Sequence, residues 1–266
     1  MRVSSVGTGD SVHSSSKNFK GVDIKLGVKS INGLKPSKNL VILAHPDDET
    51  CFFGFIAKLF KKSKEPTQLI YSTSGQAGRD ISNEYQRFAI GIRDKRLNEL
   101  RNGINRLGAK RDALVLDMMD GETHFPHNRQ ILKTYVKKII ERTKPANIYT
   151  FDSSGITGHT DHFTIGTVTN RAVSEVDPDK KIKLWNIGFT QDEADKIVMD
   201  TYPNSTIFRN ARASIDTPDR TVDISKEIPT LMDSFTEYKS QFSAQSCKDI
   251  KKFLDSYPFI NMMQVK

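Results

Sequence analysis

Between residues 40 and 189 the chain alternates short, β-rich apolar runs with longer stretches of helical periodicity. No other sequence feature restricts its fold as much. The runs are 40–44 (LVILA), 67–73 (TQLIYST), 113–117 (ALVLD), 147–152 (NIYTFD) and 183–189 (KLWNIGF). The spacing between them predicts helices over 50–63, 84–107, 128–143 and 162–175. Over 84–107, Phe88, Ile92, Leu97, Leu100, Ile104 and Leu107 recur near the helical period, and the pattern stops at Gly108. Strands separated by helices run parallel and need helices on both faces to bury them, so an α/β fold is expected. The segment 225–254 reads as helix interrupted by Pro229 and packed across one end of the sheet. Residues 1–37, rich in Ser, Gly and Lys, are expected to form a loose arm with a short strand near 22–26. Residues 38–266 then form a single domain.

Open α/β sheets gather ligands outside the carboxyl ends of their strands. Each polar cluster of interest sits at such an end. HPDDE (45–49) follows the first run, STSGQAG (72–78) closes the second, MMDGETH (118–124) follows the third and SSGITGHTDH (153–162) the fourth. Four strand ends therefore converge on one rim.

Two of these clusters carry metal-type spacing. His45 and Asp48 lie three apart, where Pro46 prevents simple continuation of the strand into a helix; His159 and His162 form a second pair. Two imidazoles and one carboxylate make a zinc set that leaves a fourth position for water, whose pKa falls to about 7 on the metal. A carboxylate that is not a ligand must then take the water proton, and Asp47, beside Asp48, is so placed. One histidine remains over to stabilise an oxyanion. His124 and His127 repeat the spacing in the loop THFPH and read as surface, and His13 in the arm has no assigned role. Cys51 reads as a small buried thiol rather than a soft metal ligand. Gly75 and Gly78 match no phosphate-loop pattern; they predict a tight loop that lets backbone approach a ligand. Arg96 and Glu99, three apart on one helix, are either a surface ion pair or an arginine fork reaching substrate oxygens.

Composition narrows the setting. Over 266 residues the net charge is +8, dispersed apart from KLFKKSK (58–64) and KDIKK (248–252). No RNA-binding signature accompanies it, so no nucleic-acid partner is expected. Two distant cysteines, Cys51 and Cys247, make no disulfide framework and fit a reducing compartment. With no secretory signal and no run of about 18 apolar residues, a soluble cytoplasmic protein without a membrane span is expected.

Together, HPDDE at 45–49 and GHTDH at 158–162 resemble the LmbE-like/PIG-L family of zinc-dependent deacetylases. RLNEL (96–100) followed by LG (107–108) is similar to the family's Arg-x-x-Glu helix and Leu-Gly turn, and MMDGE (118–122) to its Asp-Gly element. EYKSQF (237–242) resembles its Ser-Gln helix, with Tyr238 where a histidine is frequent. The resemblance spans roughly 38–245. It implies a Rossmann-like three-layer sandwich with a mostly parallel sheet, and removal of the N-acetyl group from an N-acetylglucosamine derivative, a small amino-sugar substrate. It further implies Zn2+ held by His45, Asp48 and His162, with Asp47 as general base. His159 would polarise the carbonyl or assist amine departure, with Asp161 orienting it, while Arg96 and Asp120 would bind sugar hydroxyls. Two departures stand out. Thr157 occupies a position where some members carry tyrosine, and Phe52, Phe53 and Phe55 replace a glycine-rich continuation, which predicts a reshaped cleft. The same centre could serve a zinc amidase or esterase on a non-sugar acyl group, and the motifs could also persist in an inactive α/β binding module.

Overall fold

The structure, a computed structural model, describes residues 21–62, 64–82, 92–201 and 208–265. In chain order its elements are β1 (Ile24–Leu26), β2 (Asn39–Leu43), α1 (Asp48–Cys51), α2 (Ile56–Lys61), β3 (Thr67–Thr73), α3 (Ile92–Arg106), β4 (Ala113–Met118), α4 (Pro126–Thr143) and β5 (Asn147–Phe151). They continue with α5 (Gly155–Gly158), α6 (Thr160–Val176), β6 (Lys183–Gly188), α7 (Gln191–Thr201), β7 (Arg220–Asp223), α8 (Ile228–Phe235), α9 (Ala244–Ser256) and β8 (Phe259–Gln264). The strands form one sheet in the order β1-β4-β3-β2-β5-β6-β8-β7. From β1 to β6 every pairing is parallel. β8 then pairs antiparallel with both β6 and β7.

Central parallel strands are covered on both faces and read as continuous apolar runs. β2 and β3 fit that pattern, buried at every residue. The helices fall into two packed groups, α4 with α6 and α3 with α8, α9 and α7. Right-handed crossovers put these groups on opposite faces, because the chain winds from β2 through β3 to β4 and then returns on the other side through β5 to β6. Their common origin, the gap between β2 and β5, is the switch point at which doubly wound sheets open a crevice.

Two expectations are corrected. The helix over 50–63 divides into α1 and α2, which lets Phe52, Phe53 and Phe55 all bury, at 2%, 0% and 3% exposure, although no single helix face holds all three. Pro229 does not interrupt a helix; it lies in the first turn of α8, where a missing N–H costs no hydrogen bond. The break comes instead before Ser243, whose side chain accepts the Ser246 N–H and caps α9. The beginning of the helix expected from residue 84, with Phe88, lies outside the described residues, as do His13 and the arm up to residue 20. Within the expected arm, β1 pairs with β4 at the sheet edge and Ile31 is buried in the core. No described helix is long and apolar enough to cross a membrane.

Candidate functional site

At the end of β2 the chain turns sharply, and Asp47 takes a left-handed conformation (φ 101°, ψ −23°) as the N-cap of α1. The turn is tied by Asp48, whose Oδ2 accepts the N–H groups of Ala44 at 2.9 Å and His45 at 2.8 Å. Its other oxygen, Oδ1, is thereby aimed at His162 Nε2, 3.2 Å away. His162 arrives from the second cluster. Asp152, at the end of β5, accepts the N–H groups of Ser154 and Gly155, each at 2.9 Å, and so shapes the loop. The Gly155 carbonyl in turn accepts from His162 Nδ1 at 3.1 Å. Phe151 stacks on the same imidazole, with centroids 4.2 Å apart and planes within 9°.

His45 completes the group. Its Nδ1 is 3.1 Å from His162 Nε2 and 4.0 Å from Asp48 Oδ2. Its Nε2 lies 3.1 Å from both Asp120 Oδ1 and Asp161 Oδ2. These outer partners assign the ring protons to Nε2 of His45 and Nδ1 of His162. Once His45 Nδ1 gives up its proton, its lone pair, that of His162 Nε2 and a carboxylate oxygen face one another in a buried space, an arrangement a shared cation neutralises. Tetrahedral zinc with bonds of about 2.0–2.2 Å separates its ligand atoms by about 3.3–3.6 Å; His162 Nε2 lies 3.1 Å from His45 Nδ1 and 3.2 Å from Asp48 Oδ1, so the chemistry of this donor set and these two spacings suit a divalent ion. Two groupings bring ligand atoms within 4.8 Å of one another, His45–His159–His162 and His45–Asp120–His159–Asp161, and neither includes Asp48. The Asp48 set is the more coherent, because each member's outer atom is held by a backbone group or a carboxylate. Burial disfavours the charge of both His45 and Asp48. Hydrogen bonds to Asp120 and Asp161 nevertheless carry His45 up to about 10, and the His162 and His45 rings hold Asp48 below its usual value.

Asp47 is buried and contributes nothing to that set. Its Oδ2 meets Arg96 Nη2 at 3.0 Å. Burial pushes the Asp47 carboxyl up to about 8, with Arg96 opposing and Asp48 and Glu49 adding to the rise. His159 stands at the rim as the N-cap of α6, its Nδ1 accepting the Asp161 N–H at 3.2 Å. A neutral ring therefore carries its proton on Nε2. Surrounding protein, then charge on His45 and His162, holds it below its ordinary value. The carboxylate of Asp161 goes elsewhere than expected: it orients His45 rather than His159, and the Gly121 N–H (2.7 Å) and the Thr123 side chain fix it. Among the described residues, the hydrogen bond between Asp161 and His159 runs through the Asp161 backbone amide.

Arg96 and Glu99 are both buried and do not pair with each other. Arg96 also donates to the Pro46 carbonyl, while Glu99 accepts from the Ser240 N–H at 2.9 Å and from its hydroxyl. Gly75 and Gly78 make room for Arg96 itself, since a Cβ on either would lie 2.8 Å from the guanidinium, and Gly75 has φ +68°. Asp120 divides its oxygens between His45 and the Ala77 N–H, 3.1 Å from each. Of the three phenylalanines only Phe52 lines the cleft; Phe53 and Phe55 pack on Phe151 and Tyr149 in the core. Cys51 is a free thiol pushed well above its ordinary pKa by burial. All of the donors except Asp161 line one cavity of about 510 Å³, with Arg96, Thr157 and Gln241 in its wall. A larger cavity, about 700 Å³, lies at the amino ends of β1, β3 and β4 among Lys25, Lys29, Lys35, Lys110 and Arg111, and contains no such donor group. Sequence reasoning missed Asp152, Thr123 and the partners of Glu49. Only Asp152 had a signal, its place at a strand end.

Fold and site together define a Rossmann-like α/β protein with a His/Asp cluster able to hold a metal at the switch point of its sheet. The chain belongs to the PIG-L family, described as GlcNAc-PI de-N-acetylase, which it matches over residues 40–173. It is 26% identical over 152 residues to the 1D-myo-inositol 2-acetamido-2-deoxy-alpha-D-glucopyranoside deacetylase of Rhodococcus jostii, covering 50% of this chain and 52% of that one. The chain thus spans about half the length of that curated relative. Among solved structures, the N,N'-diacetylchitobiose deacetylase from Pyrococcus horikoshii superposes with a TM-score of 0.59 at 16% identity, over 86% of this chain and 84% of that one. The 4-carboxy-2-hydroxymuconate hydratase from Pseudomonas putida matches with a TM-score of 0.58 at 13% identity, over 88% and 97%. The fold is therefore common to different chemistries, and the site must discriminate among them.

Proposed function

We propose that this chain, through one unit spanning residues 38–266 with β1 added to its edge, hydrolyses the N-acetyl group of an N-acetylglucosamine derivative to acetate and an amino sugar. The observation that carries this reading is the convergence of His45 Nδ1, His162 Nε2 and Asp48 Oδ1 beside a buried carboxylate, Asp47, that is not one of them. A zinc ion held by those three residues would acidify a water and polarise the acetamide carbonyl. Asp47, steadied by Arg96, takes the proton from the attacking water. The new bond joins water oxygen to the acyl carbon. As the C–N bond breaks, Asp47 returns the proton to the amine nitrogen. His159, with its proton on Nε2, donates to the carbonyl oxygen as negative charge develops there. Asp161 keeps His45 oriented. Arg96, whose Nε is buried without a hydrogen-bond partner among the described residues, and Asp120 are the groups offered to sugar hydroxyls. Family membership and the deacetylase names of its relatives support the substrate class.

The test combines metal analysis of the purified protein with acetate-release assays across N-acetylglucosamine derivatives. Release from none of them, with stoichiometric metal bound, would sink the substrate assignment. The apolar wall formed by Phe52 favours one second reading, an amidase or esterase acting on a non-sugar acyl group. A panel of N- and O-acylated non-sugars separates the two.

A further inference from the structure

Glu49 lies beside the donor set yet has no part in the chemistry above. It is 0% exposed, and both of its oxygens are fully engaged. Oε1 accepts from the Tyr238 hydroxyl and from Thr50 Oγ1 at 2.9 Å. Oε2 accepts from Tyr71 Oη at 3.0 Å and from the Asp47 backbone N–H at 3.2 Å. Four donors fill the four acceptor sites of a carboxylate, so no position is left for a metal or substrate.

The Asp47 contact gives the network its purpose. A left-handed backbone is strained at a non-glycine residue and persists only where its surroundings hold it. Here the Asp47 carbonyl is held by the N–H groups of Thr50 and Cys51, each at 2.9 Å. Its N–H is held by Glu49 alone among the described residues. Helix α3 grips both ends of the arrangement. Arg96 on α3 takes the Asp47 side chain, and two turns later Gly103 leaves a notch for Tyr238, where a Cβ would lie 2.6 Å from the phenol ring. Tyr71 on β3 meets the second Glu49 oxygen.

We propose that Glu49, oriented by Tyr238 and Tyr71, is a positioning residue that locks the left-handed turn at Asp47 and so aims the Asp47 carboxylate at the reacting water. The inference rests on the reading of Asp47 as the base. Glu49→Gln keeps the size of the side chain but turns one acceptor into a donor. A carboxylate displaced by about 1 Å can cost on the order of 100-fold in rate. We expect a fall in kcat of about 10–100-fold by that comparison, with KM within about twofold and bound zinc per chain unchanged. In 15N-labelled protein the Asp47 amide proton moves upfield as its hydrogen bond is lost. Tyr238→Phe gives the same pattern in milder form, and Tyr238→His, which restores a donor, recovers most of the loss. Wild-type kcat in Glu49→Gln, or loss of zinc from it, overturns the proposal. If that variant does not fold, Tyr238→Phe decides, and an unchanged kcat with an unchanged Asp47 amide overturns it. Asp47→Ala separates the two levels: full acetate release from it refutes the base assignment, while the amide shift still reads the lock.

Discussion

Asp47 and Asp48 are chemically identical neighbours with opposite fates. Asp48 spends one oxygen on two backbone N–H groups and presents the other to His162; Asp47 is turned away by its left-handed backbone and meets Arg96. Replacing them should therefore have different effects. Asp47→Asn should keep its metal and lose about 100- to 10,000-fold in acetate release, the range for a general base, as judged by zinc content and initial rates. Asp48→Asn and His162→Ala should both lower bound zinc at a fixed free-metal concentration. Unchanged metal content in His162→Ala would remove it from the ligand set. At this scale the residue types and their spacing already pointed to His45, Asp48, His159 and His162. The direction of Asp161 was not legible, because its partners Gly121 and Thr123 come from a loop about forty positions away. The surroundings of Glu49 were hidden for the same reason, since Tyr238 lies far along the chain.

Elements set how closely these groups can meet. Helix α6 lies so near β5 that a Cβ on Gly166 would sit 2.5 Å from the Phe151 carbonyl oxygen. Gly166→Ala should push the helix outward and carry His162, one turn earlier, with it. Overpacking of this kind costs about 1–3 kcal/mol, so a lowered melting temperature together with weaker zinc binding is expected; a variant with both unchanged would contradict the close packing. The parallel strands were readable almost to the residue, because burial on both faces leaves uninterrupted apolar runs. Strands β7 and β8 were not. RTVD and FINMMQ carry mixed polarity, and each becomes a strand only through antiparallel pairing across a long stretch of sequence. The break between α1 and α2 was equally hidden, since three phenylalanines in four residues do not reveal that all of them bury.

On the scale of the molecule, the donor set joins two halves of the sheet. His45 and Asp48 follow β2, His162 follows β5, and the chain builds outward from these strands in opposite directions. An ion shared between them should stabilise the native state by mass action, about 2.7 kcal/mol at a free concentration of 100 times Kd. Removing it with a chelator should lower the melting temperature by roughly 5–10 °C for a chain of this size, reversibly on adding zinc. No change on chelation would argue that the purified protein holds no ion. Positive charge also collects at the far end of the sheet from the site, around Lys29, Lys35 and Lys110, so salt should influence any surface association there more than catalysis. The antiparallel end of the sheet carries a consequence for biosynthesis. β8 is inserted between β6 and β7, so the β6 edge has no strand partner until residues 259–264 have left the ribosome. At about 5–20 residues per second that edge waits for seconds after β6 itself emerges. During this interval it offers an unpaired strand edge to chaperones and to other copies.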